Sequence, residues 1–175
     1  ENWQAGFLPP LYQGTRFRST GSPVLNLRPA AEDPPGIVQM QRDLLNRLDH
    51  LHKRQRPGQP NLDARIASYE LAARMQVSAT DALDLSQESP QTLEMYGIGR
   101  EPTDSYGRRC LFARRLVERG VRFVQLYINA QIWDTHTGLA KDMKAACDRT
   151  DLPIAGLLQD LKQRGLLQET LVIWG

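Results

Sequence analysis

An aspartate and a histidine two residues apart, Asp134 and His136, have the clearest chemical potential in this sequence. They follow the run Val121–Ile128, whose apolar character predicts a strand buried inside a sheet. The crevice beyond the carboxyl end of such a strand is the usual ligand position in α/β folds. Carboxylate oxygens and neutral imidazole nitrogens both bind zinc, and carboxylate oxygens also suit calcium or magnesium. The pair is therefore a candidate for two ligands of a metal site.

Two ligands do not complete such a site, because a catalytic zinc usually takes three protein ligands and a water. At least one further ligand must come from elsewhere. The alternative is that Asp134 caps the following helical region while His136 is simply exposed. Asn129 and Trp133 flank the pair and could shape a pocket, although Trp133 could equally pack under the loop.

The remaining reactive residue types give no further site. His50 and His52 lie two apart on a predicted helix, so they point to different faces and are interpreted as surface residues. Cys110 and Cys147 are on separate predicted helices and are expected to be buried thiols. No serine has the Gly-x-Ser-x-Gly context of a nucleophile elbow. The catalytic and substrate-binding residues therefore remain unknown.

Length and composition limit the possible classes of protein. The 175 residues, with 41% hydrophobic and 24% charged, suffice for one domain with a sizeable core. A net charge of +2 with scattered basic residues argues against a nucleic-acid partner. No apolar run approaches the roughly 18 residues of a membrane helix, and the N-terminus lacks a signal-peptide pattern. We expect neither a nucleic-acid nor a membrane partner.

The first half of the chain divides into a loop and two helices. Residues 1–35 are rich in proline and glycine and predict a long extended loop. Apolar residues then recur at helical spacing over 36–55, and Asn61 can cap a second helix that extends to residue 77. Residues 36–77 are expected to form an antiparallel helical hairpin. Residues 78–107 read as loop around a short helix near Gln91–Met95, and their Gly97-x-Gly99 motif lacks the strand and third glycine of a dinucleotide site.

Residues 105–175 predict a helix-strand-helix-strand unit. The first pair of expected elements is a helix from about Ser105 to Arg119, capped by Gly120, and a strand Val121–Ile128. Two helices follow, one from Leu139 to Asp148 and one from Pro153 to Arg164, with a break at Asp151–Pro153 between them. Gly165 ends the second of these helices, and a strand Thr170–Trp174 completes the unit. Two strands joined by helices form the parallel crossover unit. The predicted fold class is therefore α/β, helix-rich, with a parallel strand-helix-strand unit at the C-terminal end.

Several blocks of sequence, in order, resemble a known family. They are Asn2–Pro9, Ala64–Ala72, Ala113–Gln125, Trp133–His136 and Asp160–Leu167. Together they are similar to the uncharacterised sulfatase-like proteins abundant in planctomycetes, the domain-of-unknown-function family fifteen-oh-one, over nearly the whole chain. This family resembles a branch of the alkaline phosphatase and sulfatase superfamily, whose members hydrolyse phosphate or sulfate esters at a metal site on an α/β sheet.

The resemblance implies a function and places two residues in it. Asp134 and His136 would be ligands of a divalent ion, zinc or calcium, in a metal-dependent hydrolase of sulfate or phosphate esters. The resemblance also implies a periplasmic or exported protein, while the oligomeric state stays open. Because the chain starts at Glu1 without a methionine and stops at Gly175 after a strand, we expect a single partial domain, a fragment without its nucleophile and without turnover. The alternatives are a non-catalytic binding or scaffold protein on the same fold, and a helix-rich interaction module built on residues 36–77.

Overall fold

The computed structural model describes residues 14–18, 34–57, 62, 66, 81–128 and 130–175. The chain separates into two compact units, one made of Glu1–Phe17 with Val24–Thr80 and the other of Arg18–Pro23 with Asp81–Gly175. About 61% of the described residues are helical. None of the helices in this part of the chain is long and apolar enough to cross a membrane.

The first unit contains helix α1, Pro35–Arg54, where the sequence predicted a helix over 36–55. Pro35 stands at its first turn, where the missing amide hydrogen costs nothing, and basic residues occupy its last turn. Its apolar side chains are exposed: Ile37, Met40, Leu44, Leu45, Leu48 and Leu51. Leu62 and Ile66 are helical, but the rest of the predicted second helix and most of the predicted loop 1–35 lie outside the described residues. The helical hairpin therefore stays a prediction.

In the second unit a short helix and a tight turn precede the two long helices. Helix α2, Pro90–Met95, begins where the Ser89 hydroxyl accepts a hydrogen bond from the Thr92 amide at 3.1 Å. The predicted helix near Gln91–Met95 is confirmed. Gly97, with φ of 68°, turns the chain toward the next helix.

Helix α3, Asp104–Glu118, confirms the helix predicted from about Ser105 to Arg119. Gly120 has φ of 85°, and the Val121 amide donates to the Leu116 carbonyl at 3.0 Å. This is the left-handed C-terminal cap that the sequence indicated. The buried face of α3 comprises Gly107, Cys110, Leu111, Phe112, Ala113, Arg114, Arg115 and Leu116.

Helix α4, Leu139–Gln163, is one continuous helix, so the predicted break at Asp151–Pro153 is wrong. An internal proline costs about 3 kcal/mol of helix stability, but Pro153 is itself buried within the packed face. The other buried members of that face recur at helical spacing on both sides of the proline: Ala146, Thr150, Gly156, Leu157, Asp160 and Leu161. Burial of this stripe along the whole length stabilises a continuous helix. Gly165, with φ of 72°, follows the helix as predicted.

The predicted α/β class and its parallel strand-helix-strand unit are wrong for the described residues, since none of them forms a strand. Val121–Ile128 and Thr170–Trp174 have no regular secondary structure. Their residue types favour strands because such side chains pack well on a pleated, half-buried sheet surface. A strand forms only when a neighbouring strand completes its backbone hydrogen bonds. Here Phe123 and Leu171 are 79% and 85% exposed. The described part is helical, and the alkaline phosphatase-like sheet is absent from it.

Helices α3 and α4 pack around a core of Tyr96, Cys110, Leu111, Leu157 and Leu161. Two glycines permit the close approach. A Cβ on Gly107 would lie 2.2 Å from the Tyr96 carbonyl oxygen, and one on Gly156 would lie 2.5 Å from the Met95 carbonyl oxygen. The end of α2 therefore sits directly against the backbones of both long helices.

Candidate metal site

The two predicted ligands lie on an irregular loop that leads into α4. The Asp134 amide donates to the Gln131 carbonyl at 3.1 Å, which closes a tight turn just before the candidate residues. Gly138, with φ of 74°, ends the loop and starts the helix. Asn129, predicted to flank the site, lies outside the described residues.

The loop brings the two side chains together. Asp134 Oδ1 and His136 Nδ1 are 3.4 Å apart, and the side chains are 56% and 83% exposed. That separation exceeds the 2.7–3.2 Å of a usual N–H···O hydrogen bond. Two ligand atoms bound to one tetrahedral zinc, each about 2.0–2.1 Å from the ion, lie roughly 3.3 Å apart. The spacing is compatible with two donors that share one ion and also with a direct ion pair between the two side chains.

The donor chemistry fits a metal, but the ligand set is partial. Among the residues that the structure describes, no group of three histidine, cysteine, aspartate or glutamate side chains could hold an ion. A complete site would need at least one more protein ligand. The described residues therefore supply a pair of candidate ligands and leave the other positions unassigned.

An aromatic pair adjoins the candidate ligands. The Trp133 and Trp174 rings meet edge to face, with centroids 5.8 Å apart and planes inclined by 76°. This is a favourable geometry for aromatic side chains. Trp133 is 39% exposed, so it does not lie buried beneath the loop. The sequence indicated that Trp133 flanks the pair, but not its contact with Trp174.

The family model described as "Protein of unknown function (DUF1501)" matches residues 1–175. The chain belongs to the DUF1501 family. This confirms the domain-of-unknown-function family predicted from the ordered sequence blocks, whereas the predicted link to the alkaline phosphatase and sulfatase superfamily stays a prediction. Searches of curated proteins and of solved structures return no match.

The other candidate residues of this DUF1501 chain belong to no group of three possible metal ligands among the described residues. His50 and His52 are exposed on α1, as predicted, and His52 Nδ1 is 2.8 Å from Arg56 Nη1. Both cysteines are free: Cys110 is fully buried on α3 and Cys147 is half-buried on α4. Burial raises the pKa of the Cys110 thiol to about 12, so it is neutral at pH 7.

Sequence reasoning missed a buried group of charges centred on Arg114. The side chain of Arg114 is 2% exposed, and its guanidinium lies 2.7 Å from Glu88 Oε2, 2.8 Å from Glu118 Oε2 and 2.9 Å from Asp160 Oδ2. The Glu118 contact is a directed hydrogen bond, while the Nε and Nη2 contacts are ion pairs without hydrogen-bond geometry. The sequence held one signal: Arg114 falls three residues after Leu111, on the predicted buried stripe of its helix.

This cluster connects the helices. Tyr96 donates its hydroxyl hydrogen to Asp160 Oδ2 at 2.9 Å, and burial, together with the Asp160 charge, raises the pKa of that phenol. Neighbouring Arg115 pairs with Glu88 and donates to the Ala82 carbonyl at 2.7 Å. Every carboxylate around Arg114 is thus already paired. The arrangement suits a structural tie between α3, α4 and the residues before α2.

Proposed function

We propose that this DUF1501 chain binds a divalent metal ion through Asp134 and His136 and serves a metal-dependent hydrolase of sulfate or phosphate esters. The 3.4 Å separation of Asp134 Oδ1 and His136 Nδ1 supports the metal-binding part most directly. The sulfatase-like resemblance of the ordered sequence blocks supports the reaction class.

The mixed donor pair favours zinc over calcium. Calcium takes six to eight oxygen ligands, whereas zinc readily combines imidazole nitrogen with carboxylate oxygen in a four-coordinate site. The exposure of both side chains leaves the ion open to solvent and substrate. A catalytic zinc needs such an open position, since a structural site is closed by four protein ligands.

The two residues have distinct tasks in this proposal. The Asp134 carboxylate offsets part of the positive charge of the ion, and the His136 imidazole contributes a neutral nitrogen that leaves a net positive site for an anionic ester. The bound metal would stabilise negative charge on the transferring sulfuryl or phosphoryl group and activate a nucleophile. The nucleophile and the remaining ligands stay unassigned.

Hydrolysis of p-nitrophenyl sulfate and p-nitrophenyl phosphate tests the proposal. The full-length protein stripped with EDTA should regain activity on addition of Zn²⁺, and Asp134→Asn with His136→Gln should reduce that activity to the buffer rate. Asp142→Asn, which changes another exposed carboxylate a few residues away, is the matched control and should behave as wild type. Zinc-independent turnover, or full activity in the double variant, would contradict the proposal.

A second candidate function is a non-catalytic binding or scaffold protein. The absence of a third ligand among the described residues favours it, as do the exposed apolar side chains of Phe123, Leu171 and Ile173. In that case the double variant would match wild type in every assay, and neither ester would be hydrolysed in the presence of zinc.

A further inference from the structure

Asp134 and His136 can share an ion only while their loop holds its shape. Among the described residues, the backbone hydrogen bonds of this loop are local, because the Asp134 amide donates to the Gln131 carbonyl and the Lys141 and Asp142 amides donate to the Gly138 carbonyl. Such bonds set the turn and the helix start. They do not connect the loop to a distant part of the chain.

The Trp133–Trp174 ring pair makes that connection. Trp133 precedes Asp134 directly, so the two residues share one rigid peptide plane. The centroid distance of 5.8 Å and the angle of 76° lie within the favourable edge-to-face range. A ring fixed at Trp133 therefore restricts the backbone from which the Asp134 carboxylate projects.

We propose that Trp174 is a positioning residue for the metal pair, because its indole holds Trp133 and thereby keeps the Asp134 carboxylate beside the His136 imidazole. The inference rests on the proposed function at Asp134 and His136. The ion binds only those molecules in which both ligand side chains are already in place. Its apparent affinity therefore decreases when the fraction of such molecules decreases. Loss of the ring contact, at the usual strength of an aromatic pair, should therefore weaken metal affinity roughly 2- to 10-fold.

Simple packing makes a different prediction. Trp174 follows Leu171, Val172 and Ile173, which are all exposed apolar residues of the same segment. If the segment acted only through its apolar surface, truncation of Leu171 would have the same effect as truncation of Trp174. If the ring contact matters, only the loss of the indole changes metal binding.

Titration of the EDTA-treated chain with Co²⁺, followed by visible absorption, and competition with Zn²⁺ measure this directly. Trp174→Ala should raise the Kd about 2- to 10-fold and alter the Co²⁺ spectrum. Trp174→Phe retains a ring and should recover most of the affinity, while Leu171→Ala should bind as wild type. Trp174→Leu keeps apolar bulk without a ring and should show the same loss, so it replaces the alanine variant if that variant does not fold.

The outcomes separate the two proposals. Wild-type affinity and an unchanged spectrum in both Trp174→Ala and Trp174→Leu would overturn the positioning role alone. An equal loss in Leu171→Ala would also overturn it, in favour of general packing. A wild-type chain that binds neither Co²⁺ nor Zn²⁺ would overturn the proposed function and the positioning role together.

Discussion

At the scale of single residues, Arg114 is the buried charge on which its neighbours depend. Its side chain is 2% exposed, and the Glu88 and Asp160 side chains beside it are 7% and 5% exposed. A carboxylate in such surroundings is costly without a partner cation. The guanidinium is therefore the cation that Glu88, Glu118 and Asp160 share, and each of these carboxylates also pairs with a second arginine, Arg115 or Arg164.

Replacement of Arg114 by methionine should lower the free energy of unfolding by up to about 3–5 kcal/mol, because it removes the cation shared by Glu88 and Asp160 and leaves each with one other arginine. Urea denaturation followed by circular dichroism measures this change. Arg108→Met is the matched control, since Arg108 pairs with Asp104 at 2.9 Å on a more exposed surface and should cost less than about 1 kcal/mol. Equal losses in the two variants would contradict a special role for Arg114.

Glu118 should make stability depend on pH. Burial raises the pKa of this carboxyl, but the hydrogen bond from Arg114 and the charge of Arg164 outweigh burial and hold it below its ordinary 4.5. A lowered folded-state pKa stabilises the protein above the unfolded-state value, and this contribution is lost as the pH falls through the folded-state value. The wild type should exceed Glu118→Gln in stability at pH 7, and the difference should shrink below about pH 4.5.

Urea titrations of both chains between pH 7 and pH 3 test this dependence. Glu94→Gln, at an exposed position on α2, provides a control that should show no comparable pH-dependent difference from wild type. A difference between wild type and Glu118→Gln that stayed constant over the whole range would show that the carboxylate contributes no titratable stability.

At this scale the sequence predicted local neighbours and missed distant ones. Asp134 and His136 are two residues apart, so a single turn suffices to bring them together. Arg114 and Asp160 lie on different helices, and only the packing of those helices makes them partners. Neither the hydrophobic periodicity nor the residue spacing of a single sequence predicts the contact between Arg114 and Asp160.

At the scale of elements, each of the two long helices meets the end of α2 at a glycine, Gly107 in α3 and Gly156 in α4. A Cβ at position 156 would lie 2.5 Å from the Met95 carbonyl oxygen, which belongs to the backbone and cannot rotate away. The Gly156→Ala variant should therefore lose about 1–3 kcal/mol of stability through overpacking, even though alanine favours helix. Thermal denaturation of the two chains measures the loss.

Gly36→Ala is the matched control for this substitution. Gly36 lies in α1, and a Cβ there meets nothing within 4 Å. Alanine should leave the stability unchanged or raise it by up to about 1 kcal/mol. A Gly156→Ala variant that melted at or above the wild-type temperature would contradict the close packing of α4 against the end of α2.

The elements predicted well are those that a short stretch of sequence specifies by itself. Helices α2 and α3 and the glycine caps follow from local spacing and capping residues. Strands depend on neighbours, so the apolar runs Val121–Ile128 and Thr170–Trp174 were wrongly predicted as strands. The continuity of α4 through Pro153 also depends on packing along the whole helix, which a local proline rule does not include.

At the scale of the whole molecule, the two thiols should distinguish native from unfolded chains. Cys110 is fully buried in the α3–α4 core, whereas Cys147 is half-buried. The thiolate is the reactive form, and the pKa of Cys110 is raised to about 12 by burial. In native protein at pH 8, a thiol reagent such as DTNB should label Cys147 and leave Cys110 unreacted.

Denaturant should release the second thiol along the same transition that circular dichroism follows. Cys147→Ser should abolish the native reaction and retain the reaction of the unfolded chain. Equal rates for both thiols in native protein would mean that the core of the second unit opens readily without unfolding.

For the protein as a whole, the decisive property is divalent-ion binding by Asp134 and His136. Isothermal titration calorimetry of Zn²⁺ into the EDTA-treated chain measures this binding. The variants are Asp134→Asn and His136→Gln, and the control is His52→Gln, which changes an exposed histidine on α1. We expect saturable binding in wild type and in His52→Gln, and binding weakened at least about tenfold in each of the other two variants. Equal binding in all four chains, or none in wild type, would contradict it.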